Sequence, residues 1–95
     1  MRDEAIYRAI GRRLRARRRL ADMTQAQVAA YCGLTFQQIQ KYEAGMVAMP
    51  VARLVLLAEV LQAPLSELVG DLQSPAAARD SGAWRGSAPP QLATA

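Results

Sequence analysis

Apolar residues recur at helical spacing along roughly the first seventy positions of the chain, and that rhythm is absent afterwards. Ile6, Ile10 and Leu14 predict a first helix from about Asp3 to Ala21. Thr24 stands where its hydroxyl can cap a second helix, in which Val28 and Cys32 share a face; Gly33 ends it. Thr35 caps a third helix, with Ile39, Tyr42 and Glu43 on one side and Gly45 at its end. A fourth, from about Val51 to Gln62, carries the inward stripe Leu54, Leu57, Ala58 and Leu61. Pro64 opens a short fifth helix at the first position, where proline is tolerated, and Leu65, Leu68 and Val69 face in. No segment alternates with period two, so the expected fold is all-α.

Residues 1–70 read as one domain. Residues 71–95 are rich in Ala, Pro, Ser and Gly without periodicity, which predicts a flexible C-terminal tail with Trp84 as its one candidate anchor.

Composition narrows the chemistry. A chain of 95 residues makes one small domain and excludes a two-domain enzyme. It is 52% apolar and 21% charged, in the range of a globular protein, and only 5% aromatic, so the core must be aliphatic. Histidine is absent and Cys32 is the single cysteine. Intrachain disulfides, zinc sites of the usual Cys/His spacing, and Ser-His-Asp or Cys-His catalysis are therefore excluded, and no metal or other cofactor is expected. The apolar runs around 46–52 and 54–58 are too short to span a bilayer, and no apolar signal core follows the mixed charges of the first four residues. The expected setting is cytoplasmic.

The net charge of +4 lies wholly in residues 1–70, and six of the eleven arginines fall between Arg12 and Arg19. Such a concentration points to a polyanionic partner.

Helices two and three are joined by Cys32-Gly33-Leu34-Thr35, too tight a turn for antiparallel packing. They must cross steeply, and the small Ala29 lets them approach, with Val28, Cys32, Leu34, Ile39 and Tyr42 facing one core. This is helix-turn-helix spacing, in which the second helix enters the major groove of double-stranded DNA.

Thr24-Gln25-Ala26-Gln27-Val28-Ala29, Gly33-Leu34-Thr35, Ile39-Gln40-Lys41-Tyr42-Glu43-Ala44-Gly45 and the Leu54, Leu57, Ala58, Leu61 stripe together resemble the phage-repressor and Cro type of helix-turn-helix domain, the lambda-repressor-like fold. The resemblance covers roughly residues 10–69. It implies a compact five-helix domain that binds operator DNA, usually as a homodimer, in a bacterial or phage-encoded transcriptional regulator acting on the nucleoid, with repression as the expected mode.

Carried over position by position, the resemblance places Gln25 at a DNA phosphate and Phe36, Gln37 and Lys41 at the bases, with Thr35, Gln38 and Gln40 flanking them. Glutamine can pair bidentately with adenine and lysine can donate to guanine. Phe36 departs from the polar residue frequent in that slot; it can pack on a thymine methyl or fold back on its own domain. The alternative for the glutamines is an ordinary solvated helix face. The resemblance also implies an ion pair between Arg18 and Glu43, each four residues after an inward apolar position. Arg12, Arg13, Arg15, Arg17 and Arg19 exceed what one duplex can engage; Arg17 is grouped with the backbone contacts, and the rest are shared between phosphates and a solvated face.

After helix three the resemblance implies polar or basic residues, but this chain has Met46-Val47-Ala48-Met49-Pro50. Helix four has Val55, Leu56 and Val60 beyond its inward stripe. Met46, Val47, Met49, Val55, Leu56 and Val60 are therefore candidates for a two-fold interface, against simple packing into the core. Cys32 reads as a small core hydrophobe rather than a redox sensor. The competing function is a protein-interaction module, an antitoxin or adaptor subunit on the same fold. An enzyme would need an acid–base site that eight scattered carboxylates without histidine do not provide, and a membrane-surface helix would need apolar residues that the core already claims.

Overall fold

The computed structural model describes residues 2–72. Five helices follow one another: α1 (Arg2–Leu20), α2 (Gln25–Cys32), α3 (Phe36–Ala44), α4 (Val51–Leu61) and α5 (Leu65–Val69). There is no strand among the described residues. The region expected to be a flexible tail, including Trp84, lies outside them from residue 73 onward.

Local chemistry sets the boundaries. Thr24 and Thr35 are extended residues whose hydroxyls accept the N–H of Gln27 and Gln38. Each glutamine returns its side-chain carbonyl to the threonine N–H, at 2.8 and 2.9 Å, completing a reciprocal box that satisfies donors the helix itself leaves open. α2 and α3 end on left-handed glycines, Gly33 (φ 68°) and Gly45 (φ 70°). The following amides fold back, Leu34 N–H to Ala29 and Met46 N–H to Lys41, which satisfies the last carbonyls. Pro50 and Pro64 stand just outside α4 and α5 as extended caps; the first-position placement expected of Pro64 is off by one residue.

Inward faces follow the expected stripes. Ile10 and Leu14, Val28 and Ala29, Ile39 and Tyr42, the four α4 residues, and Leu68 form one buried cluster. Val28, Ile39, Leu57 and Leu68 are its most completely enclosed side chains, one from each of α2 to α5. Each contributes about 1.5–3 kcal/mol on leaving water. Met49 belongs to this cluster as well, buried with 6% exposure. That corrects its assignment to a two-fold interface: the loop after α3 is too short to cross the end of the bundle without turning one side chain in.

α1 is the long element against which α3 and α5 pack, on separate faces. Gly11 makes the α3 contact possible. A Cβ there would lie 2.4 Å from the carbonyl oxygen of Glu43 and 2.6 Å from that of Tyr42, so only glycine lets the two backbones come so close. Gly45 is similarly pressed against the backbone of Arg8. The recognition-side helix is thereby seated directly on α1.

Candidate nucleic-acid interface

α3 separates holding from presenting. Ile39, Tyr42 and Glu43 are buried, whereas Phe36, Gln37, Gln40 and Lys41 are exposed. The N-terminal end of α3 is fixed by the Thr35–Gln38 box. The box engages both of these expected flanking residues: the half-buried Gln38 side chain accepts from the Thr35 N–H, and the exposed Thr35 hydroxyl accepts from the Gln38 N–H.

Glu43 anchors the inner side. Its carboxylate accepts the Arg18 Nε at 2.6 Å and the Arg18 Nη2 at 3.0 Å, which is the expected pair in bidentate form. Arg18 also donates from Nη1 to the Met23 carbonyl at 2.9 Å, tying in the end of α1. Gln25 donates its amide to Glu43 at 3.0 Å, and the Arg15 Nε lies 3.4 Å from the same oxygen. Burial on its own pushes the Glu43 carboxyl up, but the bonds from Arg18, Gln25 and Arg15 together hold it below its ordinary value. Arg18 is raised, chiefly by its bond to Glu43. The acid nearest the presenting face is thus enclosed and neutralised.

Outside this anchor, Arg15, Gln25, Gln37, Gln40, Lys41, Ala44 and Met46 line one shallow open depression of about 480 Å³. Two cations and three amides meet there, with no carboxylate in the lining. The structure therefore brings Gln25, Gln37, Gln40 and Lys41 together as expected. Phe36 begins the same helix and remains 42% exposed, so it does not fold back into the core. Gln25 lines the depression while spending one amide donor on Glu43.

Two expectations about neighbouring residues change. Arg17, grouped with the backbone contacts, is turned away: its Nη1 meets Glu67 of α5 at 2.5 Å. Arg13 likewise donates to the Gly70 carbonyl. Arg15, not singled out from the sequence, is the α1 arginine that lines the depression beside α3. The signal was present in the spacing: positions 8, 11, 15 and 18 share one helical face, and the glycine within it marks the side of close approach. Met46, expected as a dimer candidate, is 71% exposed and also lines this depression.

Of the remaining apolar candidates, Val47 and Val55 are exposed, and Leu56 and Val60 are half-buried. Val60 packs on the core and borders a second open cleft with Met23 and Tyr31. Val51, not among the expected candidates, is exposed as well, one turn before Val55 on α4. Cys32 is half-buried against the core, and burial pushes its thiol up despite the nearby Arg53. Among the described residues no group of acids and cysteines is arranged to hold a metal ion, and no helix is long and apolar enough to cross a membrane.

Two capped helices meeting at Gly33, with the second presenting a cationic, amide-rich face, define a helix-turn-helix domain, the class that lays its second helix in the major groove. The chain belongs to the Cro/C1-type helix-turn-helix family, whose model matches residues 14–68. It is 40% identical over 57 residues to an uncharacterized HTH-type transcriptional regulator of Sinorhizobium medicae (strain WSM419), covering 60% of this chain and 41% of that one. It is 38% identical over 64 residues to an uncharacterized transcriptional regulator in the ATPase CF(0) region of Rhodospirillum rubrum, covering 67% and 59%. The chain thus spans about two fifths of the length of the first of these relatives. Among solved structures it is similar to the restriction-modification controller protein C.AhdI from Aeromonas hydrophila, with a TM-score of 0.66 and 26% identity over 68% of this chain and 94% of that one.

Proposed function

We propose that the protein is a DNA-binding transcriptional regulator that reads a specific duplex site through α3 and acts without catalysis. One observation carries this reading. The outward positions of α3 present neutral amides, one ammonium, one aromatic ring and the Ala44 methyl, with no carboxylate, while the adjacent carboxylate of Glu43 is buried and paired. Phe36, Gln37 and Lys41 are the base-reading residues, and Gln40 and Gln25 border them. Names of relatives as transcriptional regulators support the same role. Repression in the bacterial cytoplasm, by occupying a site that other proteins would otherwise use, is the mode proposed for it.

Two copies would place two α3 helices about one DNA turn apart. The exposed Met46, Val47 and Val55, together with the half-buried Leu56 and Val60, are the surface for that homodimer, reduced from the larger set by the burial of Met49. A concentration-independent monomer mass in light scattering, with and without the selected duplex, would remove the dimer.

The deciding experiment is selection of bound sites from random duplex DNA, repeated with Gln37→Ala and Lys41→Ala. Each variant is expected to relax the consensus at one or two base pairs, at about 1–3 kcal/mol per lost contact. No enrichment by the unaltered protein would overturn the DNA reading in favour of a protein-interaction module.

A further inference from the structure

We infer that Arg15 of α1 is a DNA-phosphate contact, so that the interface extends beyond the two helices of the motif to the long first helix. The inference rests on the DNA-binding reading above.

Three observations lead to it. Arg15 lines the same depression as Gln37, Gln40 and Lys41, with its side chain 47% exposed. Its hold on the protein is slight: a single contact from Nε to Glu43 at 3.4 Å, with no acceptor for its two terminal nitrogens among the described residues. Glu43 does not need it, because Arg18 supplies two shorter bonds and Gln25 a third. What remains is a planar fork of N–H donors beside the presenting face of α3, aimed by Nε but otherwise unused. That is the donor geometry a phosphodiester oxygen pair accepts.

The rest of α1 explains why Arg15 is singled out from its neighbours. Arg17 is committed to Glu67 of α5 and Arg13 to the carbonyl of Gly70 just beyond it, on the face away from α3. Arg18 is consumed by Glu43 and Met23. Arg15 combines a position at the depression with unpartnered donors. Gly11, one turn earlier, keeps α1 close enough to α3 for a side chain of this length to share its ligand.

The test uses the full chain and the duplex enriched by selection. Binding is titrated against salt for the unaltered protein, Arg15→Gln, Arg15→Lys, Arg17→Gln and Gln37→Ala. Arg15→Gln should make the slope of log affinity against log salt shallower by about 0.9, and weaken binding roughly three- to tenfold at moderate salt. Its selected consensus should be that of the unaltered protein, since a phosphate carries no sequence. Arg15→Lys should retain the slope. Arg17→Gln and Gln37→Ala should leave it unchanged, the first because it faces α5 and the second because it is neutral. Thermal midpoints, measured in parallel, should keep Arg15→Gln within about 3 °C of the unaltered protein. An unaltered slope for Arg15→Gln, a changed consensus, or an equal effect of Arg17→Gln would each overturn the inference while leaving DNA binding standing. Failure of the unaltered protein to enrich any duplex would remove both.

Discussion

Arg18 grips Glu43 through two nitrogens, at 2.6 and 3.0 Å, across the junction of α1 and α3. Side-chain exposure is 11% for the arginine and 3% for the carboxylate, so neither charge has ready access to water. The pair fixes the tilt of the presenting helix more than it adds net stability, since desolvation offsets much of the attraction.

Removing one partner should therefore cost far more than removing both. Arg18→Ala is expected to lose about 3 kcal/mol and to lower the unfolding midpoint by on the order of 10 °C. Arg18→Met combined with Glu43→Leu should recover part of that loss. Thermal unfolding followed by circular dichroism reads both variants against the unaltered protein, and an unchanged midpoint for Arg18→Ala would show that the pair holds nothing.

Acid should act through the same carboxyl. Burial raises Glu43, but the bonds from Arg18, Gln25 and Arg15 prevail and hold it below its ordinary 4.5. A carboxyl depressed in the folded state stabilises the fold above its unfolded value and loses that contribution as pH falls through the folded one. Glu43's contribution should thus be constant from neutrality to about pH 4.5 and decline below it. Chemical denaturation across pH 3–7 should show a shallower acid limb for Glu43→Gln than for the unaltered protein.

Glycine substitutions should rank against helix propensity. Alanine ordinarily favours a helix over glycine by about 1 kcal/mol, yet Gly11→Ala drives a Cβ to 2.4 Å from the Glu43 carbonyl oxygen. The expected result is a loss of about 3 kcal/mol, with weakened DNA binding as α3 is pushed off its seat. Gly33→Ala has open space around it and suffers only from φ 68°, about 1–2 kcal/mol. Equal midpoints for the two variants would contradict the close crossing.

Cys32 should be slow to react. Its thiol is raised by burial, so little thiolate exists at neutral pH. Iodoacetamide should label the native protein well below the rate seen in denaturant. Rapid native labelling would revive a sensing role.

Much of the fold was legible because its signals are local. Thr24, Thr35, Gly33 and Gly45 each act within a few residues of themselves, and the Leu54-to-Leu61 stripe declares its own inward side. Periodicity gave the inward face of α3, while its presenting residues and the Arg18–Glu43 pair followed from resemblance. What escaped depended on how helices cross. Arg15 and Arg17 are two residues apart, and what tells them apart is that Arg15 shares a helical face with Gly11 and Arg18, a signal whose meaning the Gly11 contact makes plain. Met49 was misplaced because a short loop must turn one side chain inward, and that choice belongs to the tertiary structure. The part of Gln38 in the cap went unread because attention to its outward face passed over its place three residues after a threonine.

The division of labour along α3 has an evolutionary corollary. The positions that seat the helix, Ile39, Tyr42 and Glu43, share no residue with those turned outward, Phe36, Gln37, Gln40 and Lys41. Duplicated copies of such a gene could therefore diverge in target preference one letter at a time, each intermediate still a sound scaffold, and insulated regulatory circuits could arise without passing through an unfolded ancestor.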